Sequence, residues 1–243
     1  MTSSSDIRVI CLIPARKGSK GVRRKNLRRV GLSTLVNRAI KIARQIYLPV
    51  HIILSSDDEV ILKRYSKKVH TSIKRSPELS NDNALISQVV LDSLKNFPHF
   101  SDRDIFVLLE PSSPNRKSSD VNDALRLMIQ HDYESLITAS VVDAKYHPHK
   151  VLKLNHESLR LESFIPNSPK IANRQEIKEV ALFRNGIAYL YRLSVVRALT
   201  DVMPDPSNFI LTHRPVVNID NECDLWLSRY IYFMDLMKLL KRR

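Results

Sequence analysis

The chain has 243 residues, and its 39 Lys and Arg against 25 Asp and Glu give a formal net charge of +14. Apolar residues at 43% and charged residues at 26% fit a globular protein and exclude a largely disordered chain, while the length suits one domain or one with a small appendage. No apolar run long enough to span a membrane occurs, Met1 to Ile10 lack the pattern of a secretory signal, and Cys11 and Cys223 form no disulfide framework, so a soluble protein of the reducing cytoplasm is expected.

In chain order, Ile7 to Ile13 form a β-branched, nearly continuous apolar run, the pattern of a strand buried on both faces of a parallel sheet. Pro14 ends it. Ser33 can cap a helix over Thr34 to Tyr47, where Leu35, Ala39, Ile42, Ala43 and Ile46 recur at helical spacing. The pattern then repeats, with a strand over Val50 to Leu54, a helix over Asp57 to Lys67 and a short strand near Val69. Next come a helix from Asn81 or Asp82 to about Phe97 and a strand over Ile105 to Leu109. A helix capped by Ser118 or Ser119 runs to about His131, and Ser135 to Val142 is another strand. Strands alternating with helices predict an α/β fold with a mostly parallel, doubly wound sheet.

The rhythm changes after Val142. Val151 to Leu154 and Leu159 to Glu162 alternate like a hairpin about Asn155-His156-Glu157, and Phe164 to Val180 is too long for a tight connection. Residues 143–182 therefore read as an inserted flap, between an α/β domain's first part at 1–142 and its return at 183–243. Gly186 to Tyr191 and Val216 to Ile219 read as strands, and Glu222 to Leu240 as a closing helix.

Glycine is scarce, with four residues where average usage of about 7% would place some seventeen. Three of them, Gly18, Gly21 and Gly31, crowd the start of the chain, where the backbone must turn sharply or approach something closely. The same stretch, Arg16 to Arg29, holds eight basic residues and no acidic one. A second basic cluster, Lys238, Lys241, Arg242 and Arg243, suits a helix C-terminus. Such clusters invite a nucleic-acid reading, but the first follows a strand directly, at the end of a parallel sheet where ligands bind. Pro14-Ala15-Arg16-Lys17-Gly18-Ser19-Lys20-Gly21 lacks both G-x-x-x-x-G-K-[ST] and G-x-G-x-x-G, which leaves Walker ATPases and Rossmann dehydrogenases unsupported. It does supply backbone N–H groups, a hydroxyl at Ser19 and the cations Arg16, Lys20 and Lys25, the set that phosphates need.

That loop, followed by Arg24-Lys25-Asn26-Leu27, resembles the signature of the CMP-sialic acid synthetases, the acylneuraminate cytidylyltransferases. Further blocks are similar in the same order: Lys74 to Leu79 with Asn81-Asp82-Asn83, Leu109 to Pro114, Arg174-Gln175, Arg184-Asn185-Gly186, and Val217 to Asp220. The resemblance runs from residue 7 to about 225. It implies a Rossmann-like sheet of the nucleotide-diphospho-sugar transferase type with a dimerisation flap. It also implies transfer of a cytidylyl group from CTP to a nine-carbon 2-keto sugar acid, with Mg²⁺, in a homodimer. On that resemblance Arg16, Lys25 and Asp220 are catalytic. Pro14, Ala15, Arg16, Ser19, Lys20, Gly21, Asn26, Arg75 and Ser87 meet the nucleotide. Glu110, Ser112, Lys150, Arg174, Arg184 and Asn185 meet the sugar acid, with Lys150 and Arg174 reaching across the dimer. Asp220 and Asn218 hold the metal.

Two positions depart from the family's pattern. Asn218 stands where the first aspartate of D-x-D is usual, which predicts weaker magnesium binding, since an amide oxygen carries no charge. Glu110 replaces the usual Gln, and an ionised carboxylate accepts hydrogen bonds without donating them, so it would favour donors such as an amine on the sugar. Other readings are a related sugar cytidylyltransferase, a degenerate paralogue that binds CTP without turnover, and a basic nucleic-acid-binding protein. No membrane partner is expected. His147-x-His149 lacks a third ligand nearby and reads as a loop feature.

Overall fold

The computed structural model describes residues 7–168, 174–176, 179–199, 203–206 and 208–241. In order these form β1 (Val9–Pro14), β2 (Arg29–Val30), β3 (Ser33–Thr34), α1 (Leu35–Ala43), β4 (Val50–Ser56), α2 (Glu59–Tyr65), β5 (Thr71–Lys74), α3 (Ile86–Leu94) and β6 (Ile105–Leu108). They continue with α4 (Ser118–Gln130), β7 (Ser135–Val141), β8 (Leu152–Asn155), β9 (Arg160–Ser163), β10 (Leu182–Arg192), α5 (Leu193–Arg197), β11 (Asn208–Leu211) and α6 (Glu222–Leu240). Seven strands make one sheet in the order β11-β7-β10-β6-β1-β4-β5.

β1 shows why the sheet is covered on both faces. Its side chains alternate, so Val9, Cys11 and Ile13 join the core under α1 and α4, while Ile10 and Leu12 join the core under α3 and α5. All five are fully buried. β1 pairs in parallel with β4 and β6, and β4 with β5, as a doubly wound sheet requires. β10 is the exception, running antiparallel between β6 and β7. The sheet is therefore mostly parallel, with one reversed strand near its centre.

Several elements differ from the sequence reading. Thr34 rather than Ser33 caps α1, its Oγ1 accepting from the Asn37 N–H at 3.3 Å. Ser118 and Ser119 are the first helical residues of α4 and not its cap; the Lys117 N–H donates to Asp120 Oδ2 at 2.7 Å. α3 starts at Ile86, because Asn81 Oδ1 accepts from the Asn83 N–H at 2.8 Å and holds 81–83 in a turn. Val216 to Ile219 is not a strand. Its alternation is real, since Val217 and Ile219 are buried against Val22, Val30, Leu35 and Leu225, but the Ile219 N–H donates to the carbonyl of Ser112, on a loop. The edge strand is instead β11, parallel to β7. In the 143–182 segment β8 and β9 do form the expected antiparallel hairpin, paired from Leu152–Ser163 to Asn155–Arg160.

Candidate functional site

At the carboxyl ends of β1 and β6 lies a cavity of about 460 Å³, walled by the loop after β1, residues 75–89, the loop after β6, and Asp220. The loop after β1 is tied down along its backbone. The Ala15 N–H donates to the Ser55 carbonyl at 2.9 Å, the Ser56 hydroxyl donates to the Ala15 carbonyl at 2.6 Å, and the Lys17 N–H donates to Asp57 Oδ1 at 2.7 Å. Asn26 Nδ2 donates to the Arg16 carbonyl at 2.8 Å. Gly21 lets the loop pass the next segment, for a Cβ there would sit 1.8 Å from the Asp220 carbonyl oxygen. Gly18, by contrast, has open space around it.

Three cations of this loop reach the cavity. Arg16 and Lys20 share Asp82 at 2.8 and 3.0 Å, and hydrogen bonds from Lys20 and Arg16 hold the Asp82 carboxyl below its ordinary range. The Lys25 ammonium donates to the Ile219 carbonyl at 2.7 Å and lies 3.6 Å from Asp220 Oδ1. A phosphate chain placed here would exchange the exposed Asp82 for a ligand of higher charge.

Opposite the cations the wall becomes apolar, with Leu79, Ala84, Ile86 and Val89 beside Arg75. Arg75 is buried, and it donates through Nε to Ser55 Oγ at 3.2 Å and through Nη2 to the Ser55 carbonyl at 3.1 Å. Burial, the largest influence, lowers its pKa, and the carboxylate of Asp57 opposes that shift. A polar anchor beside an aliphatic wall suits a planar base.

Glu110, Pro111 and Ser112 close the far side. The Glu110 carbonyl is held by Arg116, a residue the sequence reading did not select. Its buried guanidinium donates to the carbonyls of Glu110 and Gly186 at 3.0 Å each, and also to that of Ile187. Burial pulls its pKa down to about 10, so it stays charged at neutral pH. Gly186 has φ +71°, and a Cβ there would lie 2.8 Å from Ser113 Oγ. The Glu110 side chain is half-buried; burial raises its pKa most, Arg116 and Lys25 pull it back, and Asp220 pushes it up further.

Of the residues selected from sequence, Pro14, Arg16, Ser19, Lys20, Gly21, Lys25, Asn26, Arg75, Glu110, Ser112 and Asp220 line this one cavity. Others do not. Ala15 is buried and acts through its backbone, and Ser87 is buried in the first turn of α3. Asn218 is exposed and accepts from Ser113 Oγ at 3.5 Å. Asn185 is buried, its Oδ1 accepting from Thr138 Oγ1 at 2.7 Å and its Nδ2 donating to Ser140 Oγ at 3.0 Å. Arg184 pairs with Asp205, and Lys150 sits in a short turn at Pro148–Lys150. The side chain of Arg174 lies outside the described residues. The His147 ring meets the Glu179 carbonyl at 3.2 Å and His149 meets Ser168 Oγ at 2.8 Å, so both are engaged in loop contacts. Asp82 and the aliphatic wall were missed as site residues because the helix was expected to begin at 81 or 82; the charge pair Arg16–Asp82 is the signal that the loop stays open.

For a divalent cation the residues offer hard oxygens, the exposed Asp220 carboxylate and the Asn218 amide oxygen two residues before it. Among the described residues no group of three or more His, Cys, Asp or Glu side chains gathers. Two protein oxygens fit a magnesium ion whose remaining ligands are water and nucleotide phosphates. No helix among the described residues is long and apolar enough to cross a membrane.

A family model described as cytidylyltransferase matches residues 10–232. The chain is 27% identical over 229 residues to the post-translational flagellin modification protein B of Campylobacter coli, covering 92% of this chain and 94% of that one. It is 28% identical over 183 residues to the N-acylneuraminate cytidylyltransferase of Streptococcus agalactiae serotype V, covering 74% of this chain and 42% of that longer protein. It is 30% identical over 128 residues to the CMP-N,N'-diacetyllegionaminic acid synthase of Legionella pneumophila, covering 50% and 53%. Among solved structures, CMP:2-keto-3-deoxy-manno-octonic acid synthetase complexed with CTP superposes with a TM-score of 0.67 at 18% identity, over 94% of this chain and 99% of that one.

Proposed function

This chain belongs to the cytidylyltransferase family, and from that premise we propose that it activates a nine-carbon 2-keto sugar acid with CTP, giving the CMP-sugar and pyrophosphate. One observation carries the reading: Arg16, Lys20 and Lys25 reach a single cavity from one backbone-anchored loop, facing an apolar wall that carries Arg75. The triphosphate lies along the loop, against Ser19, Gly21 and the three cations. The base lies between Arg75 and the wall of Leu79, Ala84 and Val89, with Asn26 fixing the loop beneath it.

The anomeric hydroxyl oxygen attacks the α-phosphorus and gives up its proton to solvent, a new P–O bond forms, and the bond to the pyrophosphate oxygen breaks. Negative charge grows on the phosphoryl and leaving oxygens. Lys25, held by a carbonyl and beside a carboxylate, is placed to meet that charge without reorganising, and Arg16 and Lys20 hold the leaving pyrophosphate. Asp220 and Asn218 would hold Mg²⁺, which when bound supplies charge neutralisation at the phosphates. Glu110 and Ser112 face the acceptor. The flap at 143–182 is assigned to the interface of a homodimer, with Lys150 and Arg174 meeting the sugar carboxylate of the neighbouring site; Arg184, paired with Asp205, and the buried Asn185 shape the strand behind it.

The test is pyrophosphate release from CTP and Mg²⁺ by the purified chain, with and without each member of a panel of sialic- and legionaminic-type acids. Release only with an acceptor supports the reading, and silence across the panel removes it. The second reading, a CTP-binding paralogue without turnover, draws on Asn218 in place of a second carboxylate. It predicts that CTP with Mg²⁺ raises the Tm while no acceptor elicits pyrophosphate.

A further inference from the structure

Two arginines hold the loop after β6, and both open onto a second cavity. Arg116 donates to the Glu110 carbonyl at the start of that loop, and Arg38 of α1 donates through Nε to the Pro114 carbonyl at 2.8 Å and through Nη1 to the Val30 carbonyl at 3.2 Å. This cavity has a volume of about 330 Å³, its wall also carries Leu32, Lys41, Ile42 and Tyr232, and it shares no lining residue with the cavity at the end of β1. Arg38, Lys41 and Arg116 therefore meet in a wall without a carboxylate, and none of them forms an ion pair among the described residues. The first cavity differs, for there Asp82 answers Arg16 and Lys20. Arg38 is half-buried and Arg116 only 4% exposed, and burial is the largest influence on both, lowering the pKa of each. Like charges gathered under partial burial cost free energy, which a bound anion offsets.

Donors are also available in the right place. Nη2 of Arg38 and Nη1 of Arg116 donate to nothing among the described residues, and no buried polar side-chain atom there lacks a partner, so both groups open into the cavity. Tyr232 is not a platform for a flat ligand: the Arg38 guanidinium lies 5.0 Å from its ring centre, and a Cβ on Gly31 would come within 2.3 Å of its Cε1. The guanidinium forks and the Lys41 ammonium therefore select the ligand, and their geometry matches the oxygens of a phosphate group. Leu32 and Ile42 add apolar surface beside them. We propose that this cavity is a second anion site, taking a phosphate-type oxyanion, either free or as the end group of a small ester, and that its occupancy tightens the loop from Glu110 to Pro114. An anion on the two unused nitrogens competes with none of the existing bonds. It fixes both guanidinium groups in the orientation that already holds the Glu110 and Pro114 carbonyls, and Glu110, Pro111 and Ser112 line the first cavity.

Inorganic phosphate and phenyl phosphate are titrated by calorimetry into the Arg16→Ala/Lys20→Ala chain, whose first cavity has lost two cations, and into the same chain carrying Lys41→Glu. Lys41 is exposed, so its replacement is expected to leave the far-UV circular dichroism and the ligand-free Tm unchanged. One anion should bind per chain, and about tenfold more weakly once Lys41→Glu is added. Equal affinity in the two chains, or no binding to the first, overturns the site. Tighter binding of phenyl phosphate identifies an ester as the ligand and tighter binding of inorganic phosphate a free ion, and either supports the oxyanion site. Hydrogen exchange tests the coupling, and it decides even if the double variant fails to fold. With phenyl phosphate the amides between 110 and 116 should exchange several-fold more slowly in the wild type and not in Lys41→Glu; the same slowing in both chains, or none in the wild type, overturns the link to the loop.

Discussion

On the nucleotide side of the cavity, Arg16, Lys20 and Lys25 each have a carboxylate or carbonyl partner within their own chain and all three line one space. On the acceptor side, Glu110 and Ser112 line that space, while Arg184 and Asn185 are held elsewhere by their own neighbours and Lys150 sits in the turn at Pro148–Lys150, outside the lining. A triphosphate carries several charges and needs a rigid, pre-paid set of donors. A sugar acid carries one carboxylate, and on the proposed reading residues of a second subunit meet it. The difference teaches that the cations placed in the cavity by this chain suit the phosphates better than the acceptor.

The strongest way to break this contrast is Lys25→Ala, which should lower kcat by about 10²–10³ with little change in Tm, as loss of one preorganised donor does elsewhere. A loss of only a few-fold would move the reacting phosphate away from Lys25. Next, mixing Lys25→Ala subunits with Lys150→Ala subunits should restore about a quarter of wild-type activity, since a hybrid dimer keeps one intact site. No recovery would place Lys150 in the site of its own chain or outside any site. Asn218→Asp should lower the Mg²⁺ concentration for half-maximal rate several-fold, by adding a charged oxygen beside Asp220; an unchanged requirement would leave Asn218 with its Ser113 contact alone.

The smallest effect expected is on stability. Burial raises the pKa of Glu110, so the folded chain favours its neutral form, and that contribution is complete at acid pH and lost as pH rises through the raised value. Glu110→Gln removes the loss. Its Tm should exceed that of the wild type near neutral pH and converge with it below the ordinary carboxyl range, and a constant difference across pH would refute the burial argument.

Much of this was legible in the sequence because local pattern and tertiary role agree. The apolar run of Val9 to Ile13 could only be a strand covered on both sides, and the glycines and cations after it could only be a loop. The rest depended on partners distant in sequence. Val217 and Ile219 alternate like a strand, yet their neighbours are core side chains and the Ser112 carbonyl rather than another strand. β11 has a weak pattern, Asn208 to Leu211, and owes its place to β7. Arg116 gave no signal at all, because a buried arginine serving three carbonyls reads in sequence like any surface cation. The cavity-lining residues came chiefly from the family's motif blocks, and those blocks do not say which subunit supplies the acceptor's cations.

The central claim is that the loop after β1 holds CTP for attack. A crystal structure with CTP tests it most directly. The account predicts the triphosphate against Ser19, Lys20, Gly21 and Lys25, with Asp82 released from Arg16 and the base beside Arg75. A nucleotide bound at any other surface, with Arg16 and Lys20 still paired to Asp82, would contradict it.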